Sequence, residues 1–299
     1  MLPTGLHTET HNGKKYSYLK KQQIRILYFL ICLLLLIASS ICYSSVKRYV
    51  IRLGKGETTF QGMIKEISSA RVIFFGEIHN DINHHKNQLD AIQALYKKGL
   101  PFAIGLEMFP KKDQENLNDW VSGSIKEENF IPIFNEDWGY DWGLYKDIFL
   151  YARNKKIPLI GLNVPREITR KVAQRGFQSL TTDELSELPP GITCDLDKRY
   201  MDFIKRVFEY KENNDETFRN FCEAQVIWDQ SMAWHLSQYL RKNPDSLVIV
   251  LTGTVHAWKY GIPRQLQKFI SVKYRVILPD LPGDYSTITI NDADYMVIH

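Results

Sequence analysis

Residues 72–85, VIFFGEIHNDINHH, run four apolar side chains into Gly76 and then present Glu77, His79, His84 and His85. Three further apolar runs end the same way: FAIGLEMF carries Glu107, IPLIGLNVPR ends on Asn163 and Arg166, and LVIVLTGTVH ends on Gly253 and His256. A carboxylate two positions from an imidazole can fix the ring's tautomer, leaving the other nitrogen as a metal-free general base. The same four groups, Glu77, His79, Glu107 and His256, suit a divalent metal that activates water equally well. No HExxH helix and no GxSxG elbow occurs in the chain, so the common zinc-protease and serine-hydrolase routes lack support.

A different chemistry is open to the aromatic residues. Trp120, Trp138, Tyr140, Trp142 and Tyr145 crowd one stretch, and Trp258 and Tyr260 follow His256. Such side chains wall sites for flat apolar ligands, and Tyr or His can ligate haem iron; they also pack cores and interfaces. His85 shares a helical face with Ile82, Leu89 and Ile92, which suits a ligand and a buried histidine alike, whereas His84 points elsewhere and is expected to be solvated. Gln225 and Asp229, four apart, share a helix face and either support the histidines or cap a packing contact.

These residues need elements to position them. Short, nearly continuous apolar runs at Val72–Phe75, Phe102–Leu106, Pro158–Leu162, Leu247–Leu251 and Tyr274–Leu278 predict strands covered on both faces. Helices are predicted over 81–98, capped by Asn80 or Asp81, and over 142–155, 195–211 and 216–241. The alternation predicts an α/β fold, a mostly parallel central sheet flanked by helices, in one domain spanning 46–299. The stretch 112–140, rich in Trp and acidic residues, reads as a helical insertion that walls a cleft. Ligands of such sheets bind outside the carboxyl ends of the strands, where the four polar endings would converge.

The formal net charge of +4 over 299 residues is not spread evenly. Lys14, Lys15, Lys20, Lys21 and Arg25 against Glu9 account for all of it, leaving a neutral body, which argues against a nucleic-acid surface. After this basic stretch, residues 26–43 carry no charge, and with residues 1–25 they read as a signal peptide or signal-anchor that places the body outside the cytoplasm. Ile41 is too bulky for a lipobox before Cys42, so export is expected and lipidation is not. Cys194 and Cys222, in the body, suit a disulfide in an oxidising compartment.

The blocks GEIHNDINHH, GLEMFPKKDQ, YARNKKIPLIGLNVPR, AQVIWDQSMAWHL and VLTGTVHAWKYGIP resemble, in order and spacing, those of the ChaN-like haem-binding uptake family, which shares a superfamily with the Tiki and TraB proteins and is similar to the erythromycin esterases. The resemblance implies an α/β domain in the bacterial cell envelope with a role in haem or iron uptake. It also implies haem held between two subunits of a homodimer, partly through a tyrosine, with basic side chains on the propionates. Carried over by motif, Glu77, His79, His84, His85, Glu107, Asn163, Arg166, Gln225, Asp229, Gly253 and His256 fall in its blocks. The tyrosine falls at Tyr145 or Tyr260. The rival expectation is a metal-assisted or Glu–His-based hydrolase of the Tiki or erythromycin-esterase type, using Glu77, His79, Glu107 and His256.

Overall fold

The polar strand endings do share one sheet edge. The computed structural model describes residues 48–194, 196, 198–207, 215–281 and 288–298. The strands are β1 (Tyr49–Arg52), β2 (Gly56–Thr58), β3 (Val72–Glu77), β4 (Phe102–Pro110), β5 (Leu159–Asn163), β6 (Leu247–Gly253), β7 (Tyr274–Pro279) and β8 (Tyr295–Ile298). They form one eight-stranded sheet in the order β2-β1-β8-β7-β3-β6-β4-β5. Pairing is parallel from β8 through to β5, while β1 runs antiparallel to both β2 and β8, so the sheet is mixed. The strands β1, β2 and β8 are short: β2 is the tripeptide Gly-Glu-Thr at an edge, while β8, Tyr-Met-Val-Ile, is an apolar run like those of the longer strands.

Successive residues of a strand point to opposite faces, and an apolar run buried on both sides must therefore feed two cores. In β3, Ile73 and Phe75 join one core with Phe109, Trp120, Phe130 and Phe149. Val72 and Phe74 join the other with Tyr200, Phe203, Met232 and Leu236. The first core is closed by helices Phe60–Ile67, Ile82–Lys97, Gln114–Ser122, Glu127–Asp137 and Trp142–Lys155. Helices Lys198–Val207, Asp215–Lys242 and Ile262–Phe269 close the second. The stretch near 112–140 thus folds as two helices over the first core.

Helix Ile82–Lys97 starts where Asp81 accepts the Asn83 N–H at 2.8 Å. Its buried side runs through His84, His85, Gln88, Ala91, Ile92 and Leu95, not through Ile82 and Tyr96, which are exposed. His84 is therefore buried rather than solvated. Its Nδ1 accepts the Ile78 N–H at 3.0 Å and its Nε2 lies 3.1 Å from Asp280, which pins the turn after β3 to the chain after β7.

Cys194 and Cys222 do not form the expected disulfide; Cys222 faces inward from helix Asp215–Lys242, where burial pushes its thiol up to about 12. Among the described residues no helix is long and apolar enough to cross a membrane. The basic and apolar segments 1–25 and 26–43, with Cys42, lie outside the described residues.

Candidate functional site

At the carboxyl ends of β3, β6, β4 and β5 a cleft of about 630 Å³ opens. Its floor is formed by Glu77, His79, Glu107, Gly253 and His256, and its walls by Trp138, Tyr140, Trp228, Gln225 and Asn163. Register brings the floor together: Glu77 of β3 pairs with Gly253 of β6, and Leu106, just before Glu107, pairs with Leu251. A register shift in β4 between Leu106 and Pro110 reshapes the edge against β5. Asn163 there donates its amide to the Glu107 carbonyl at 2.8 Å and accepts the Val164 N–H at 2.8 Å, so it braces the β4–β5 edge.

Each imidazole of the floor has one nitrogen committed to a carboxylate. His79 Nδ1 lies 2.9 Å from Glu77 Oε1, and His256 Nδ1 lies 2.7 Å from Asp229 Oδ1. Glu77 also accepts the Tyr145 hydroxyl at 2.5 Å and the Gln88 amide at 2.8 Å. Asp229 accepts the Tyr200 hydroxyl at 2.7 Å. Glu107 accepts the Gly253 N–H at 2.6 Å and the Thr252 hydroxyl, and its other oxygen stands 3.7 Å from His256 Nε2. A Cβ on Gly253 would meet His79 Cε1 at 2.8 Å, so only glycine lets the His79 ring lie over β6.

The charges follow from this packing. Burial alone would raise the Glu77 carboxyl, but hydrogen bonds and positive charge from His79 and His85 hold it well below the usual carboxylate range. Burial alone would lower both floor imidazoles. The hydrogen bond to Glu77 and the charge of Glu107 raise His79 instead, and the charges of Glu107 and Asp229 raise His256 to about 9. At the mouth, burial and the neighbouring Asp113 push the Asp137 carboxyl up to about 7.

The structure brings Glu77, His79, Glu107 and His256 together at the cleft, with Asn163, Arg166 and Gln225 at the walls and Asp229 behind His256. Arg166 is exposed at the start of helix Arg166–Arg175. The set is not assembled as a metal centre. Among the described residues no group of three or more His, Cys, Asp and Glu side chains is placed to hold a metal ion. The donors are engaged with one another and with backbone instead. His84 and His85 do not line the cleft. His85 lies beneath the floor, its ring tilted against Tyr145 at 4.2 Å between centroids, with its Nε2 3.5 Å from Glu77.

Neither expected tyrosine lines the cleft. Tyr145 is fully buried, and burial together with the Glu77 charge pushes its phenol far above its ordinary value, so it stays a protonated donor to Glu77. Tyr260 stacks on Phe203 over the second core, and Trp258 packs there too. Trp120 and Trp142 pack in the first core. The tyrosine that lines the cleft is Tyr140, 39% exposed, its ring 4.9 Å from His79 and 5.3 Å from Trp138. It sits between Gly139 and Asp141, in the turn linking helices Glu127–Asp137 and Trp142–Lys155. Position could have distinguished it. Tyr145 falls in the buried row Trp142, Tyr145, Phe149, Ala152, whereas Tyr140 precedes the Asp141 cap and belongs to no helical face.

A family model described as haem-binding uptake, Tiki superfamily, ChaN matches residues 63–266, and the chain belongs to that family. Among solved structures, the chain is similar to that of cofacial haem binding to ChaN of Campylobacter jejuni. The identity is 25% over 85% of this chain and 97% of that one, with a TM-score of 0.67. An erythromycin esterase mutant, EreC, in its open conformation is 16% identical over 84% of this chain and 82% of that one, with a TM-score of 0.48. A succinoglycan biosynthesis protein, 10% identical over 80% of this chain and 90% of that one with a TM-score of 0.51, shares the fold. No curated protein sequence matches the chain.

Proposed function

We propose that the cleft binds ferric haem and that the protein carries it in haem or iron uptake at the cell envelope. The observation that carries this reading is Tyr140, a phenol presented to a cleft of about 630 Å³ and flanked by Trp138 and His79. The volume is that of a site for one drug-sized ligand, and aromatic side chains supply apolar wall against which a flat macrocycle stacks. Phenolate oxygen is an established haem-iron ligand, so Tyr140 would hold the iron, and Arg166 and Lys112, at the mouth, would neutralise the carboxylates of the macrocycle. Family membership and the haem-bound relative support the same ligand. Pairing of two copies across the open mouth, and attachment to the envelope through residues 1–43, complete the proposal. Its test is an absorbance titration of the full chain with ferric haem: a saturable Soret shift is expected, and a linear, unsaturated response contradicts it.

A second reading is favoured by the two imidazole–carboxylate pairs. His79 with Glu77 and His256 with Asp229 form a metal-free acid–base set, one imidazole placed to take a proton from water and the other to return one to a leaving oxygen. Turnover of p-nitrophenyl esters that is lost in both His79→Gln and His256→Gln would support this hydrolase; rates equal to buffer would remove it.

A further inference from the structure

A groove leaves the cleft along the seam between helices Arg166–Arg175 and Asp215–Lys242. Its volume is about 230 Å³, and it shares Arg166, Gln225 and Trp228 with the cleft, so the two are continuous. Each helix lines it with positions i, i+3, i+4 and i+7, which is one face of a helix. Away from the cleft, the small side chains of Ala173 and Ala224 leave the seam open beside Phe221. Sites for drug-sized ligands run to about 300–1,000 Å³. The groove is therefore too small for a macrocycle and admits a short side arm or a small acid.

The polar groups of the groove favour an acceptor. Gln225 is 5% exposed, and its side-chain oxygen and the Trp228 indole N–H are buried with no hydrogen-bond partner among the described residues. Unpaired buried polar atoms are costly, so two of them in a cavity wall mark where a ligand completes the bonding. The Gln225 amide can turn over and present its NH2 at the same point. Arg166 and Arg170, one turn apart, add two guanidiniums, and no acidic residue lines the groove. The nearby carboxylates are engaged elsewhere: Glu167 faces Lys112 at 3.9 Å, and Glu223 holds Arg219 and the Phe177 N–H. A carboxylate accepts at both oxygens, donates from neither and pairs with guanidinium in bidentate fashion.

We propose that this groove is a carboxylate subsite of the cleft, with Gln225 and Trp228 at its entrance and Arg170 one helical turn further on. Arg166 joins it to the mouth, its guanidinium lying 3.6 Å from where a Cβ on Gly139, beside Tyr140, would stand. The carboxylate has two sources, a propionate arm of a macrocycle held in the cleft or a free short-chain acid. The first source rests on the haem-binding reading; the second does not. With the first, one arm sits between the two helices and Lys112, which does not line the groove, is left to the other arm.

The test titrates the full chain by fluorescence with gallium(III) protoporphyrin and with its dimethyl ester, which differ only in the arms. Isotope-labelled sodium propionate is titrated alone and followed by NMR. The account predicts that the free acid binds more tightly than the ester, and that Arg170→Gln contracts this ratio roughly tenfold, as expected for losing a charge-assisted hydrogen bond. Arg170 is exposed, so the variant should keep its circular dichroism spectrum. Trp228→Phe removes an N–H and no charge, so a contraction there as well reports a directed contact. Contraction in Arg170→Gln alone would report general attraction and overturn the subsite. Propionate that binds alone to the unmodified chain and is lost in both variants supports the subsite with a free acid as its source. A ratio unchanged in both folded variants, with no propionate bound, overturns the inference while leaving the haem reading intact. If neither porphyrin binds the unmodified chain, the haem reading falls, and propionate alone decides the subsite.

Discussion

The Tyr145 hydroxyl donates to Glu77 Oε1 at 2.5 Å beneath the floor of the cleft, and the same oxygen holds His79 Nδ1 at 2.9 Å. Tyr145 is thus a support of the site, one carboxylate removed from the ligand space. Losing a buried hydroxyl that satisfies a charged acceptor costs about 1–3 kcal/mol. Tyr145→Phe is therefore expected to lower the unfolding free energy by about that amount in a denaturant titration, while haem still gives its phenolate charge-transfer band.

The His79 ring passes over Gly253 so closely that a Cβ there would lie 2.8 Å from Cε1. The ring cannot yield freely, since Glu77 holds one side and Trp138 and Tyr140 pack against it at 4.8 and 4.9 Å. Overpacking of this kind costs the fold about 1–3 kcal/mol, and the part of it, about 1.4 kcal/mol, that displaces the His79 ring from the site would weaken binding roughly tenfold. Gly253→Ala should retain its circular dichroism spectrum and bind ferric haem about that much more weakly; equal affinity would show that His79 is free to move.

His256 titrates at about 9 because Glu107 and Asp229 outweigh the effect of burial. Its folded value lies above the ordinary histidine value near 6.5. The stability it contributes is therefore fully present below about pH 6.5 and lost as the pH rises through about 9. Asp229→Asn should move the imidazole midpoint downward in an NMR titration and flatten the loss of stability above neutral pH.

Asp137 has the opposite consequence. Burial and Asp113 raise its carboxyl to about 7, and it stands at the C-terminal end of helix Glu127–Asp137, where the helix dipole also disfavours a negative charge. The folded state holds this proton more tightly than the unfolded state does, so stability declines as the pH rises from about 4 to about 7 and is level above that. Asp137→Asn should remove that part of the decline, seen as a smaller drop in Tm between pH 5 and pH 8.

The sheet edge was legible because each strand that carries it is a buried apolar run interrupted by one polar group, a pattern with few explanations in a parallel sheet. Glu77, Glu107 and His256 could be placed from this alone. The helix 82–97 was less legible. Ile82, its first residue, is exposed, and Tyr96 packs edgewise on Tyr151, so two apolar residues sit on the outer side. His84 and Gln88 take buried places because each has a hydrogen-bond partner on or beyond β3, a tertiary fact without local trace. Tyr140 and Tyr145 differ by whether a helical face owns them. Periodicity buries Tyr145 and releases Tyr140, and a search for any tyrosine near the tryptophans does not separate the two. Cys194 and Cys222 illustrate the reverse limit, since residue type alone says nothing of separation in space.

The role of Tyr140 is the point on which the haem reading turns. Ferric haem added to the full chain and to Tyr140→Phe, followed by absorbance across the Soret and the charge-transfer region, tests it most directly. The account predicts phenolate charge-transfer bands in the unmodified chain and their loss in Tyr140→Phe, with a weakened but folded protein. Identical spectra from both chains would contradict it and return the search for the iron ligand to the imidazoles of the floor.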